Sequence, residues 1–275
     1  MCGKLRGRMA TVMLVGMMLG IARVFLAAQE PPEQEAKPVA QAPAEQKPTP
    51  LPEAIEKAWA AAGAEIGWMR IDVRMYGPMR LTFVPRDKGQ KGDIPAFRLR
   101  AWQAGLLPKL PEPELRYGLD LTKLPLTDRW LVDLRGLKNL QALNLARRQI
   151  TGVGLKELAV LENLQWLDLS DTQVTDAGLK ELAGLKNLQT LNLLGTKITD
   201  AGLKELAALK NLQTLNLAFS RVTDAGLKEL TGLKSLQVLL LLGTNVTDAG
   251  VEELRKALPN CDIRTRIKPA DEWTP

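Results

Sequence analysis

From Arg116 to Pro259 the apolar positions recur every 24 residues with no slip in register, so six units follow one another along the chain. The cleanest, Leu188–Asn211, reads LQTLNLLGTKITDAGLKELAALKN. Its fourth and sixth positions, Leu191 and Leu193, alternate with polar neighbours, which predicts a short strand with both leucines turned inward. Leu203, Leu206 and Leu209 then follow helical spacing and lay a second apolar stripe against that strand. A single unit of this kind buries too little to fold alone, so the units must stack. Six strands about 4.8 Å apart give a surface roughly 25 Å long.

The helical half is marked by TDAGLKEL, intact at Thr175–Leu182, Thr199–Leu206 and Thr223–Leu230. Variants begin at Thr127, Thr151 and Thr247. The Thr or the Asp is expected to cap the helix, with the Asp beside the positive end of its dipole, and the Gly to let the turn close. The ninth position holds Thr172, Thr196, Ser220 and Thr244, a hydroxyl column suited to satisfying loop backbone groups. Leu124 and Arg148 interrupt that column, and Arg148 is expected to swing out to solvent.

Where the copies differ, a binding site has room to be written. The third, fifth, seventh and eighth positions vary and are expected to face the strand side of the stack. They supply the candidates Asn144, Arg147, Trp166, Asp168, Asn192, Leu194, Asn216, Phe219, Leu240 and Leu242. Trp166 is the best single anchor, because exposed aromatics are enriched among binding hot spots, although a Trp lying flat on its neighbours contributes only packing. Asn144, Asn192 and Asn216 would either read a polar partner or form a solvated amide ladder. Val238, Leu240, Leu242, Leu194 and Phe219 would make an apolar patch too large to leave wet, covered by a partner or by the chain itself.

Outside the repeats the pattern changes. Residues 1–28 join Lys4, Arg6 and Arg8 to the apolar run Met9–Ala22 and small residues at Leu26-Ala27-Ala28, as in a secretory signal peptide. Arg23 ends that run short of the roughly 20 residues of a spanning helix, and a retained inner-membrane anchor over residues 9–28 is the alternative. Residues 29–52 hold seven prolines and no aromatic residue, the composition of a disordered Pro/Glu/Gln/Ala-rich tether. Residues 53–113 read as a small α+β unit: a helix at 53–63, two alternating strands around Ile71 and Leu81 joined at Gly77-Pro78, a third strand at Ile94–Arg100, and a short helix at Trp102–Leu110. A unit of about 60 residues is marginal alone, so it is expected to dock on the first repeat and cover its open end. Residues 260–275 begin with the alternation of Cys261, Ile263, Thr265 and Ile267, a terminal capping strand, and end in a tail carrying Trp273.

Composition narrows the chemistry. There is no histidine, which excludes imidazole catalysis and ligation. Cys2 and Cys261 are the only cysteines, so no disulfide is expected once the leader is removed, and Cys261 reads as a buried apolar residue rather than a reactive thiol. No G-x-S-x-G surrounds any of the three serines, and there is neither a C-x-x-C nor a glycine-rich phosphate loop, which argues against an enzyme. No cofactor or metal is implied. The formal charge of +6 concentrates in residues 64–110, where nine Lys/Arg face four Asp/Glu. Without a nucleic-acid-binding motif that block reads as a solvated face, and no nucleic-acid partner is expected.

The 24-residue units with TDAGLKEL resemble leucine-rich-repeat proteins, specifically an exported bacterial, planctomycete-like type, and more distantly the ribonuclease-inhibitor-like superfamily. That resemblance spans about half the chain. It implies an α/β leucine-rich-repeat solenoid, with parallel strands on the concave face and helices on the convex face, and a small N-terminal α+β capping unit. It implies a protein partner bound on the concave face, an exported (periplasmic or extracellular) location, and no catalytic residue. A membrane enters only if the N-terminal segment stays as an anchor. The competing reading is a structural or envelope-associated protein without a discrete partner, or an activity confined to residues 53–113.

Overall fold

The computed structural model describes residues 48–72, 80–101 and 103–266. The signal segment, most of the tether, the Gly77-Pro78 turn, Trp102 and the tail with Trp273 lie outside them.

Six short strands repeat at the expected positions: β4 (Tyr117–Asp120), β5 (Leu140–Asn144), β6 (Trp166–Asp168), β7 (Thr190–Asn192), β8 (Thr214–Asn216) and β9 (Val238–Leu240). They pair in parallel, residue on residue, so that Leu143, Leu167, Leu191, Leu215 and Leu239 form one inward row. The core lies between this sheet and the convex helices, and the leucines of the repeat fill it from end to end. The architecture is an α/β leucine-rich-repeat solenoid. The convex elements α2 (Gly152–Leu155), α3 (Asp176–Leu179), α4 (Asp200–Leu206), α5 (Asp224–Leu227) and α6 (Asp248–Ala257) are short, and several tighten into 3₁₀ turns before the next strand. The chain must return to the sheet within one unit, which leaves no room for a longer α-helix.

The stack is tied along its convex side by the TDAGLKEL motif, and the geometry corrects the expected role of its Asp and Gly. Thr199 does cap α4 by accepting from the Ala201 N–H at 3.3 Å. The Asp reaches forward instead, since Asp200 accepts from the Thr223 N–H at 2.8 Å and the Thr223 hydroxyl at 2.7 Å in the next unit. Asp128 with Thr151, Asp176 with Thr199 and Asp224 with Thr247 repeat this pair of bonds. The Gly makes space for that carboxylate: a Cβ on Gly226 would lie 2.3 Å from Asp200 Oδ1. The one break falls where TGVG replaces TDAG. Gly152 offers Thr175 no carboxylate, and a Cβ on Gly178 would lie 2.4 Å from the Gly152 Cα.

The hydroxyl column also holds: Thr172, Thr196 and Thr244 donate to the carbonyls of Leu169, Leu193 and Leu241 at 2.6–2.7 Å. The Ser220 hydroxyl is buried without a partner. Arg148 does not swing out. It lies half-buried, with Nη1 donating to the Leu124 carbonyl at 2.5 Å and Nε to the Ala146 carbonyl at 3.2 Å, so a guanidinium serves where the unit lacks a hydroxyl.

At the N-terminal end α1 (Glu53–Ala61) precedes β1 (Ala64–Asp72), β2 (Arg80–Pro85) and β3 (Ile94–Leu99). β3 joins β4 in parallel, β1 pairs antiparallel with β3, and β2 pairs antiparallel with β1. The sheet order is therefore β10-β9-β8-β7-β6-β5-β4-β3-β1-β2, with β10 (Asp262–Arg264) the terminal strand, parallel to β9. Trp59 stacks on Phe97 at 3.9 Å, and Tyr117 meets both rings edge-on. Leu51, placed in the tether by composition, is buried in the same core. Trp102–Leu110 forms only a 3₁₀ turn at Leu107–Lys109 among its described residues. Among the described residues, four of the nine basic residues of the block are paired: Arg70 with Asp93, Arg86 with Glu56, Arg98 with Asp120 and Arg100 with Glu65.

Candidate functional site

Because the strands are in register, equivalent positions form straight columns. The third-position column runs Ala96, Gly118, Ala142, Trp166, Thr190, Thr214, Val238, and the fifth runs Arg98, Asp120, Asn144, Asp168, Asn192, Asn216, Leu240. These columns line the concave face, as expected. They are not open to solvent. Asn144, Trp166, Asp168, Asn192, Asn216 and Leu240 are all buried, Trp166 retaining 5% of its surface and Asn216 none.

The cover at the N-terminal half is the chain's own β1–β2 pair. Met69 of β1 with Leu81 and Phe83 of β2 packs against Ala96, Ala142 and Trp166 in a second, smaller apolar cluster on the concave side. The sheet curls so far that its last strand lies over β6. Gly118 leaves room for Met69, since a Cβ there would come within 2.9 Å of the Met69 Cβ. Small residues at the third position of the first two units, Gly118 and Ala142, are the sequence signal of this hollow. The variable column was read as a surface to be recognised, whereas its first members are shaped to receive β1 and β2.

The fifth-position side chains are framework too. Asp120, Asn144, Asp168, Asn192 and Asn216 each accept from the backbone N–H two residues on, at 2.9–3.2 Å, closing the turn that ends the strand. Neither a partner-reading row nor a solvated amide ladder describes them. Asn144 in addition donates to the Leu81 carbonyl at 2.8 Å. Burial pushes the Asp168 carboxyl above its ordinary range, and hydrogen bonds from Ser170, Asn192 and the Leu81 N–H offset this in part. Thr214 Oγ1 and Asn216 Nδ2 are buried without a partner.

The turn after each strand carries the exposed candidates. Arg147, Asp171 and Phe219 at the eighth position have φ of 62°, 54° and 56°, left-handed conformations that Gly195 and Gly243 occupy in the same column. A non-glycine residue there carries roughly 1 kcal/mol or more of strain, and such outliers concentrate at functional positions. Each side chain leans toward the next unit: Arg147 Nε lies 3.4 Å from Asp171 Oδ2, Asp171 lies over Gly195, and the Phe219 ring lies over Gly243. Phe219 is 58% exposed, with Leu194 and Leu242 half-buried in the preceding column.

Of the ten candidates, then, Arg147 and Phe219 lie on this turn edge with Leu194 and Leu242 beside them, and the other six lie in the covered columns. Of the apolar patch, Val238 and Leu240 are buried on β9, to which β10 pairs, whereas Phe219 is exposed and Leu194 and Leu242 are half-buried. Cys261 is buried, and burial pushes its thiol up to about 12. Among the described residues no cluster of acidic or thiol side chains suits a metal ion, and no helix is long and apolar enough to cross a membrane.

Leucine-rich repeats are present by sequence as well as by shape. The family "Leucine Rich repeats (2 copies)" matches residues 162–208, and "Leucine Rich repeat" matches residues 208–230. Among solved structures, an internalin (InlF) from Listeria monocytogenes is 23% identical over 56% of this chain and 41% of its own, with a TM-score of 0.46. Internalin C2 from the same organism is 28% identical over 59% of this chain and 74% of its own, TM-score 0.40. A leucine-rich-repeat protein of Leptospira interrogans is 30% identical over 53% of this chain and 40% of its own, TM-score 0.38. The chain thus spans less than half the length of the first and third of these. No curated protein matches it.

Proposed function

We propose that this chain is a non-catalytic protein-interaction scaffold that meets its partner along the turn edge of the solenoid, centred on Phe219 with Leu194, Leu242 and Arg147. The observation that carries the reading is Phe219 itself. A large aromatic ring stands 58% exposed in a left-handed backbone conformation, between units that place glycine at the same position. Glycine there would relieve the strain and hide apolar surface, so backbone geometry does not account for the phenylalanine, and its contact over Gly243 leaves more than half of it exposed. Recognition by a partner accounts for it, because a rigid exposed aromatic contributes much contact area at small entropic cost.

The finer assignments belong to the same proposal. The unbroken 24-residue period and intact TDAGLKEL motifs support an exported bacterial type related to the ribonuclease-inhibitor-like superfamily. Lys4, Arg6 and Arg8 before an apolar run support export, with a retained anchor as the alternative. The absence of histidine and of nucleophile motifs from the sequence supports a role without catalysis.

The test is crosslinking in the native cell, comparing the wild-type chain with Phe219→Gly. A specific protein captured by wild type should be lost from the variant, while the variant stays folded. Equal capture by both chains refutes the turn edge as the site, and no specific capture by either favours a structural role without a discrete partner.

A further inference from the structure

We infer that the chain's own residues 267–275 fold back on the turn edge and seat Trp273 against Phe219, Leu194 and Leu242, so that anything else binding there must displace them. The inference rests on the turn-edge reading for which surface is recognised, and it adds what controls access to that surface.

The place where the chain leaves the sheet sets what this segment meets. β10 runs parallel to β9, with Arg264 beside Leu240 and its carbonyl accepting from the Leu241 N–H at 2.7 Å. The chain therefore leaves β10 at the end of the strands where Leu242 and the turn edge lie. Strands about 4.8 Å apart put β8, which precedes Phe219, about 10 Å from β10, and β7, which precedes Leu194, about 14 Å away. Trp273 follows Arg266 by seven residues, a length that spans up to about 25 Å when extended. Pro269 disfavours a helix that would shorten the span. All three apolar side chains lie within that reach.

The chemistry of the two surfaces matches. Phe219 is 58% exposed with Leu194 and Leu242 half-buried beside it, apolar area that an indole covers with an aromatic contact added. Lys197 and Arg221 stand two residues after Gly195 and Phe219 on the same edge, both exposed and without an ion pair among the described residues. Asp271 and Glu272 immediately precede Trp273, so the segment brings two carboxylates next to its aromatic ring, as the edge brings two cations next to its own. The earlier part of the edge offers no such match, because Arg147 is already paired with Asp171. A segment tethered this close acts at an effective concentration of about a millimolar, so modest contacts hold it and a free partner must bind more tightly to replace it.

Photocrosslinking on the purified full-length chain tests the seat. With Phe219→p-benzoylphenylalanine, irradiation should give a monomer-sized product in which position 219 is joined to residues 268–275, mapped by mass spectrometry. Trp273→Ala should cut that yield severalfold. Arg221→Glu should lower it by about twofold, the size expected of one exposed ion pair, and Glu272→Arg in that background should restore it. Absence of such products, a yield indifferent to Trp273→Ala, or products found only between two chains would each overturn the inference. The purified chain holds no partner, so the two readings fail separately. In the native cell Trp273→Ala should raise capture of the turn-edge partner severalfold, and unchanged capture refutes control by residues 267–275 while the turn edge stands. Intramolecular products from the purified chain, with no protein captured in the cell by either chain, would support the seat and refute the partner.

Discussion

Replacing Gly226 by Ala sets two forces against each other. Gly226 sits inside α5, where helix propensity alone favours Ala by about 1 kcal/mol. The new Cβ would lie 2.3 Å from Asp200 Oδ1, which already accepts from the Thr223 N–H at 2.8 Å. Restoring ordinary contact requires the carboxylate to retreat by about 1 Å, and that movement breaks both of its bonds to Thr223. Each is a hydrogen bond to an ionised group at a partly solvated site, worth on the order of 1–2 kcal/mol. The net expectation is destabilisation by about 1–3 kcal/mol, opposite in sign to the propensity. Asp200→Ala removes the acceptor and the carboxylate clash, leaving only the residue-200 Cα at 3.0 Å from the new Cβ, so Gly226→Ala in that background should be close to neutral, a coupling of about 2 kcal/mol. Urea denaturation of the four chains, followed by far-ultraviolet circular dichroism, measures the cycle. A stabilising Gly226→Ala in the wild-type background, or additive single changes, would show that the Gly is there for the turn and that the carboxylate does not bind the units together.

Phe219→Gly should raise the urea midpoint, by up to about 1 kcal/mol in stability, because it relieves a left-handed non-glycine residue; a lowered midpoint would mean the ring contributes packing rather than exposed surface. The Tyr117 hydroxyl is buried without a partner, and burial raises its pKa. Tyr117→Phe should therefore be neutral or stabilising by about 1 kcal/mol in the same assay, and a marked loss would reveal a bond to that hydroxyl. Asp168 has a folded pKa raised above its ordinary 3.8, so the folded state holds the proton more tightly than the unfolded state. Its contribution to stability is full below pH 3.8 and falls away as pH rises through the folded value. Asp168→Asn should flatten that segment of the stability profile, and an unchanged slope would mean the carboxyl is not desolvated. With its thiol pushed up to about 12, Cys261 should resist thiol reagents at pH 8 in the folded protein and react once urea unfolds it.

Much of the architecture was legible because period and polarity are local. Leu191 and Leu193 are buried as their spacing implies, Leu203 and Leu206 are buried on α4 with Leu209 buried just past its end, and Ile263 is buried in the short strand β10. The candidate site was legible only in part. Arg147 and Phe219 lie on the surface where the variable positions led. Asn144, Trp166 and Asp168 do not, because a strand about 80 residues earlier in the chain folds back over them, and no local pattern near Trp166 announces it. Arg148 was misjudged for a related reason. The carbonyl it satisfies belongs to Leu124, one whole unit away.

By itself the sequence determined the repeat: its length, its strand and helix halves, and the leucines that make stacking unavoidable, since these follow from the order of polar and apolar residues within one unit. Only the tertiary structure decided what the Asp and Gly of TDAGLKEL do, and which side of the strands remains open. Those outcomes depend on distances between units and on how far the sheet curls, quantities that come into being when residues remote in sequence meet. The carboxylate of Asp200 finds its partner 23 residues ahead, and Asn144 finds the Leu81 carbonyl 63 residues behind.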